Sequence, residues 1–252
     1  MPTASSARPA SAPPASASPA SSRPADRAGL GLLREAGLVA GKDIRIELRA
    51  RVLVFQIVPF GVVVILLFAF ALDPDRGQLG RVAPGLFWVA VLLATLLAVS
   101  RASAVEAANG ARDGLRLSCL DPGGIFLGKA AAIAVELLAL EAVLTAAIAV
   151  LYDIDLAGAP LLVVAALGAT ASLAATGTLA GALTAGLRAR ETLVPVLLLP
   201  VVVPVMLGAT RAWEAALDNT PSEGWPWAAL LGLFAVLYAA VGMLAYGPLL
   251  ED

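Results

Sequence analysis

Two carboxylates stand where an apolar chain has little reason to place them. Glu136 and Glu141 interrupt a hydrophobic block running from Ile125 to Leu151. A carboxylate at such depth is costly, so it normally faces a bundle interior or a polar cavity. There it can serve a transport pathway, a conformational change or a structural hydrogen bond. The two glutamates are five residues apart, about 140° around a helix, and so do not share a face. Other chemistry is narrowly bounded. The chain has no histidine, which removes the commonest metal ligand, the commonest general base and the usual haem axial ligand. Cys119 is the single cysteine, so no internal disulfide forms. No catalytic, metal or cofactor-binding residue is expected on this chain alone.

The second stretch with chemical content is the polar interval Arg101–Lys129, RASAVEAANGARDGLRLSCLDPGGIFLGK, between two apolar blocks. Arg101, Glu106, Arg112, Asp113, Arg116 and Asp121 supply both charge signs. Val105, Leu115, Leu117 and Leu120 alternate with them, as a short amphipathic helix broken near Gly110 and Gly114 would require. Such an element could be gripped by a soluble engine, or it could be a solvated loop. Gly123-x4-Gly128-Lys129 has the outline of a phosphate-binding loop, but Ala130 stands where a Mg²⁺-binding hydroxyl is needed. An apolar span follows and no strand precedes, so the motif is rejected. Pro122-Gly123-Gly124 reads instead as a break before a span.

The elements that must position these residues follow from composition. Hydrophobic residues make up 60% of the chain and charged residues 14%, against about a quarter charged in soluble domains. The class is an all-α integral membrane protein. A net charge of −2 gives no footing for nucleic acid. Residues 1–28 are nearly all Ala, Ser, Pro and Arg, and read as a disordered tail without the apolar core of a signal peptide. Residues 29–52 read as an interfacial amphipathic helix, with Ile44, Leu48 and Val52 on one stripe among Lys42, Asp43, Arg45, Glu47, Arg49 and Arg51. Residues 53–247 hold six apolar blocks: Leu53–Leu72, Val82–Val99, Ile125–Leu151, Pro160–Leu187, Thr192–Thr210 and Trp227–Leu244. Each is about long enough to cross a hydrocarbon core of roughly 30 Å. Residues 248–252 form the C-terminus. Pro195, Pro200 and Pro204 predict kinks in the fifth block, and the small residues from Gly168 to Ala182 predict close helix packing in the fourth.

Charge placement predicts the orientation. Of 17 Lys and Arg, 14 fall in the tail, the interfacial helix and the connectors on that same side. Only Arg76, Arg81 and Arg211 fall on the other, which carries seven acids: Asp73, Asp75, Asp153, Asp155, Glu214, Asp218 and Glu223. The positive-inside rule then places both termini and the 101–124 connector in the cytoplasm. Trp213, Trp225 and Trp227 flank the last outer connector, where interfacial aromatics are expected.

Several segments together resemble the haem exporter B (CcmB) family, the membrane permease subunit of an ATP-binding-cassette system for cytochrome c maturation. They are GKDIRIELR at 41–49, VAPGLFWVAVLLATLL at 82–97, FLGK at 126–129, GLRARETLVPVLLLPVVVPV at 186–205, and the acidic end Glu251-Asp252. They occur in the family's order across nearly all of residues 41–252. The resemblance implies six transmembrane helices of ABC-transporter permease type, a homodimeric core and residence in the bacterial cytoplasmic membrane. It also implies a separate cytoplasmic ABC ATPase, a haem-handling membrane subunit and a haem chaperone as partners. Haem would then be a transported or partner-held ligand. In that family the connector after the second helix is the ATPase contact, which here corresponds to Arg101, Glu106, Asp113 and their neighbours. This chain is more Ala-rich there than the family's pattern. Glu141 falls where similar sequences often carry a glutamate; Glu136 does not.

The expected function is a non-catalytic permease subunit that converts ATP hydrolysis in a partner into helix motion. Its task would be haem export or delivery, or release of a haem-loaded chaperone. The rivals are an exporter of another substrate such as a drug or lipid, a non-transporting membrane scaffold, and an intramembrane enzyme using Glu141.

Overall fold

The computed structural model describes residues 24–51, 53–71, 76–109, 120–152, 158–185, 187, 190–218 and 220–251. Most of the tail read over residues 1–28, the outer connectors at 73–75 and 153–155, and connector residues 110–119 lie outside the described residues. Every regular element among the described residues is helical: α1 Pro24–Ala50, a π-helical turn Leu53–Ile57, α2 Val58–Ala71, α3 Arg76–Asn109, α4 Pro122–Tyr152, α5 Ala159–Thr184, α6 Arg190–Leu217 and α7 Pro221–Glu251. Five of these, α3 to α7, are long and apolar enough to cross a membrane. Counting as one span the bent pair in which α1 meets the first apolar block at 59° brings the number to six. The chain is a multi-pass helical membrane protein.

The bend has a local cause. Arg51 takes a left-handed backbone conformation, φ 54°, which ends α1, because a non-glycine residue there cannot propagate a right-handed helix. The π turn then restarts the chain. Together the turn and α2 cover residues 53–71, about 28 Å of helix, nearly a full hydrocarbon thickness. At the other extreme α3 has 34 residues and overruns the bilayer. Its last turns carry Arg101 and Glu106 as an extension of the span, where the sequence suggested a separate short helix.

At the centre stands α5, packed against α3, α4, α6 and α7. Its small residues explain that position. A Cβ on Gly177 would lie 2.6 Å from Val99, and one on Gly168 would lie 3.0 Å from Leu231, so α3 and α7 come closer than larger residues would permit. The main core joins Phe87, Trp88, Leu137, Leu140, Leu144, Leu173, Leu198 and Leu231. A second cluster joins Val39 of α1, Ile125 and Phe126 of α4, and Tyr246 of α7. It marks the connector end of the bundle, where the start of α4 meets the end of α7.

Trp213 departs from the interfacial expectation. It is 4% exposed and stacks on Phe87 with centroids 3.9 Å apart. Helical period is the reason: Val205, Ala209, Ala212 and Ala216 are buried on the same stripe of α6. Trp225, outside that stripe, is exposed.

Candidate functional site

The connector leaves the bundle at the end of α3 and returns at the start of α4, and α1 is tied to α3 at Arg101 and to the return point at Asp121. On α3, eight residues before that helix ends at Asn109, Arg101 Nη1 donates to Gln56 Oε1 at 3.2 Å. Its Nε lies 3.8 Å from Glu47 Oε1, an ion-pair distance beyond hydrogen-bond reach. One guanidinium thus touches both sides of the elbow, α1 through Glu47 and the π turn through Gln56. Glu136 of α4 lies in the electrostatic field of Glu47 and Arg101. Glu136 lies halfway along α4, and its Oε1 is buried with no hydrogen-bond partner among the described residues.

At the return point Asp121 caps α4. Its Oδ1 accepts from the backbone N–H of Gly123 at 2.8 Å and of Gly124 at 3.2 Å, with Pro122 in the first helical position, where its missing N–H costs nothing. The N–H of Asp121 donates to Glu35 Oε2 at 2.9 Å. Between these two ties α1 lies directly on α4. A Cβ on Gly128 would meet Val39 Cβ at 2.6 Å and the Ala36 carbonyl oxygen at 2.7 Å, so only glycine admits this approach. The Pro-Gly-Gly segment and Gly128 are thus the cap and the seat of one helix joint.

This gives α1 three faces. Glu35, Ala36 and Val39 turn to α4. Leu33 and Leu48 are exposed, Leu48 by 67%, as are Arg34, Lys42, Arg45 and Arg49. Of the sequence stripe, Leu48 faces outward while Ile44 is half-buried, and the buried anchor is Val39. Two of the helix's acids are spent inward, on Asp121 and Arg101. Asp43 pairs with Lys42.

Glu141 sits deeper in the bundle. It is 3% exposed, and Thr170 Oγ1 of α5 donates to its Oε1. Its Oε2 is buried with no hydrogen-bond partner among the described residues. The other buried hydroxyls of α5 bond back to their own helix, Ser172 to Gly168, Thr176 to Ser172, Thr178 to Ala174 and Thr184 to Ala180, and Ser172 also reaches the Leu231 carbonyl of α7 at 3.4 Å. Thr170 instead donates to a side chain of another helix, the buried Glu141 carboxyl of α4.

The three prolines of the fifth block fall inside α6, which runs unbroken from Arg190 to Leu217. Pro200 and Pro204 lack the N–H that would bond to the carbonyls of Val196 and Pro200. Next to that gap, Tyr238 of α7 donates its hydroxyl to the Val201 carbonyl at 3.0 Å. At the end opposite the connector a cleft of about 500 Å³ opens between α6 and α7, lined by Arg211, Glu214, Asp218, Glu223 and Trp227. Arg211 pairs with Glu214 at 3.0 Å.

The structure thus sets Arg101 against Glu47 and Gln56, fixes Asp121 at a second point, and leaves Glu136 and Glu141 along the inner length of α4. Glu106 lies on the last turns of α3; its side chain, with Arg112, Asp113 and Arg116, lies outside what is described. Among the described residues no group of His, Cys, Asp and Glu could hold a metal ion. Glu35, Glu47, Gln56, Thr170 and Tyr238 join the site from the structure. In the sequence Glu35 and Glu47 look like ordinary charges of an amphipathic helix, and nothing distinguishes Thr170 from its neighbouring hydroxyls.

Comparison with known proteins places this arrangement. The chain is 30% identical over 213 residues to heme exporter protein B of Bradyrhizobium diazoefficiens, covering 82% of this chain and 95% of that protein. It is 32% identical over 186 residues to heme exporter protein B of Haemophilus influenzae, covering 73% and 83% respectively. Over 223 residues it is 30% identical to heme exporter protein B of Escherichia coli, covering 81% and 90%. The profile described as CcmB protein matches residues 35–251, from Glu35 at the connector joint to the end of α7. On that match the chain belongs to the CcmB protein family.

Proposed function

We propose that this chain is the permease subunit of an ATP-binding-cassette system that serves cytochrome c maturation. It would act in the bacterial cytoplasmic membrane as a homodimer with both termini in the cytoplasm. It hydrolyses nothing itself. A separate cytoplasmic ATPase grips the 101–124 connector, and its cycle moves the helices joined there. The transported species is haem, or the product is a released haem-loaded chaperone, with a haem-handling membrane subunit beside it.

The observation that carries this reading is the family match, with relatives named heme exporter protein B aligned over most of their length. The connector supports it physically. A partner can do work only on an element whose two states it binds differently, and this connector enters the bundle through two polar joints at Arg101 and Asp121. The intramembrane pair Glu141–Thr170 is assigned a conformational role, as the contact between α4 and α5 that such movement would strain.

The test is deletion of the gene followed by haem staining of c-type cytochromes. Loss of staining, restored by the native gene but not when the co-purifying ATPase is catalytically inactive, is the expected result. Normal staining without the gene would overturn the haem reading. Nucleotide hydrolysis by the purified chain alone would overturn the non-catalytic reading. ATP-driven export of a drug or lipid with cytochrome c maturation intact would favour the exporter rival.

A further inference from the structure

Two side-chain contacts tie α1 to the helices around the connector, Glu35 to Asp121 and Glu47 to Arg101. Their shared feature is the helix they use. Glu35 and Glu47 are twelve positions apart on α1, about 18 Å along its axis. Glu35 holds the mouth where the connector returns, through the N–H of Asp121. Glu47 faces Arg101 of α3, eight residues before that helix ends at Asn109 and the connector begins. Between them Val39 is 3% exposed and seated over Gly128, so α1 bears on α4 along this length and is not loose at either tie. Arg101 also holds Gln56 beyond the elbow. A force on the connector therefore reaches α1 at two points, and the 59° bend between α1 and the first span at the second of them.

We infer that Glu35 and Glu47 are positioning residues for coupling. They fasten the helix that leads into the connector and the residue that follows it to one rigid helix, so that a push on the connector moves α1 and changes the elbow as a single body. Loss of either tie leaves the partner bound but lets the connector move without α1. This inference rests on the reading that a cytoplasmic ATPase drives the connector. It adds that α1 takes part in the stroke, where an amphipathic helix at the membrane surface would otherwise be only an anchor.

The experiment uses the full chain expressed with its ATPase and haem-handling partners. Three quantities are read: ATPase co-purified, ATP hydrolysed, and haem-stained cytochrome c formed. Glu35→Ala removes the acceptor for Asp121, while Glu35→Gln keeps an acceptor oxygen. Glu47→Arg opposes Arg101, and the exchange Glu47→Arg with Arg101→Glu restores an opposite pair. In Glu35→Ala and Glu47→Arg, ATPase binding and hydrolysis should persist while cytochrome c formed per ATP falls about tenfold, a usual size for coupling between sites. Glu35→Gln and the exchanged pair should recover most of that loss. Should Glu47→Arg fail to accumulate, Arg101→Lys reads the same joint, because lysine keeps the charge but cannot bridge Glu47 and Gln56 at once. It should lower the same ratio.

Native coupling ratios in Glu35→Ala and in Glu47→Arg or Arg101→Lys, with the native complex itself coupled, would overturn the tether alone. So would an exchanged pair as uncoupled as Glu47→Arg. A native chain that carries no ATPase would overturn the proposed function on which the tether rests.

Discussion

The contact between Glu141 and Thr170 shows why a single hydroxyl can matter more than its neighbours. Thr176 and Thr178 donate to carbonyls of their own helix, and those carbonyls keep their backbone bonds if the hydroxyl is lost. Thr170 donates to a carboxyl with no second hydrogen-bond partner among the described residues. Thr170→Val should therefore cost about 1–2 kcal/mol in the unfolding of the purified protein. Thr176→Val should cost under about half of that. In a Glu141→Leu background the Thr170→Val cost should nearly vanish, which a double-mutant cycle by denaturant titration would measure. Equal costs for both threonines would mean that the interhelical bond carries no special weight. Glu141 itself was legible in the sequence, because a carboxylate among apolar residues is conspicuous. Its partner was not. The pair is 29 residues apart, and no local pattern marks which of several hydroxyls crosses to another helix.

Helix existence was legible for the same reason that helix partnership was not. Long apolar runs announce α3 to α7 directly, since the bilayer demands a spanning length and a self-satisfied backbone. The seat of α1 is set instead by glycines whose meaning lies in what approaches them. Gly128→Ala should push α1 off α4, because the new Cβ would meet backbone at Ala36 as well as Val39. A loss of about 1–3 kcal/mol is expected, with faster proteolysis within residues 31–50. Gly37 has nothing within 4 Å of its would-be Cβ. Gly37→Ala should leave the seat intact and strengthen α1 by about 0.5–1 kcal/mol, since alanine is the better helix former. A stabilised Gly128→Ala variant would show that α1 is not held where it appears. The prolines of α6 belong to the same scale. Tyr238→Phe removes the donor beside the Pro200–Pro204 gap and should cost about 1 kcal/mol, with the loss shrinking when Pro204 is replaced by Ala. An undiminished loss in that background would separate the tyrosine from the proline break.

At the scale of the molecule, the two ends of the bundle differ in charge in a way that the helices alone do not require. The connector end presents Arg34, Lys42, Arg45, Arg49 and Arg51 on exposed positions, while two acids of the same helix are turned inward. The opposite end presents Glu214, Asp218 and Glu223 around its cleft, with Arg211 the sole cation lining it. Cations next to short segments are held on the cytoplasmic side during insertion, whereas acids contribute little to the choice. A membrane-impermeant maleimide on intact cells tests the result. The native Cys119, in the connector, should label only after permeabilisation. A cysteine placed at exposed Ser222 in a Cys119→Ser background should label without it. The reverse pattern would put the connector outside the cell, out of reach of any cytoplasmic ATPase, and the coupling role of Arg101 and Asp121 would fall with it.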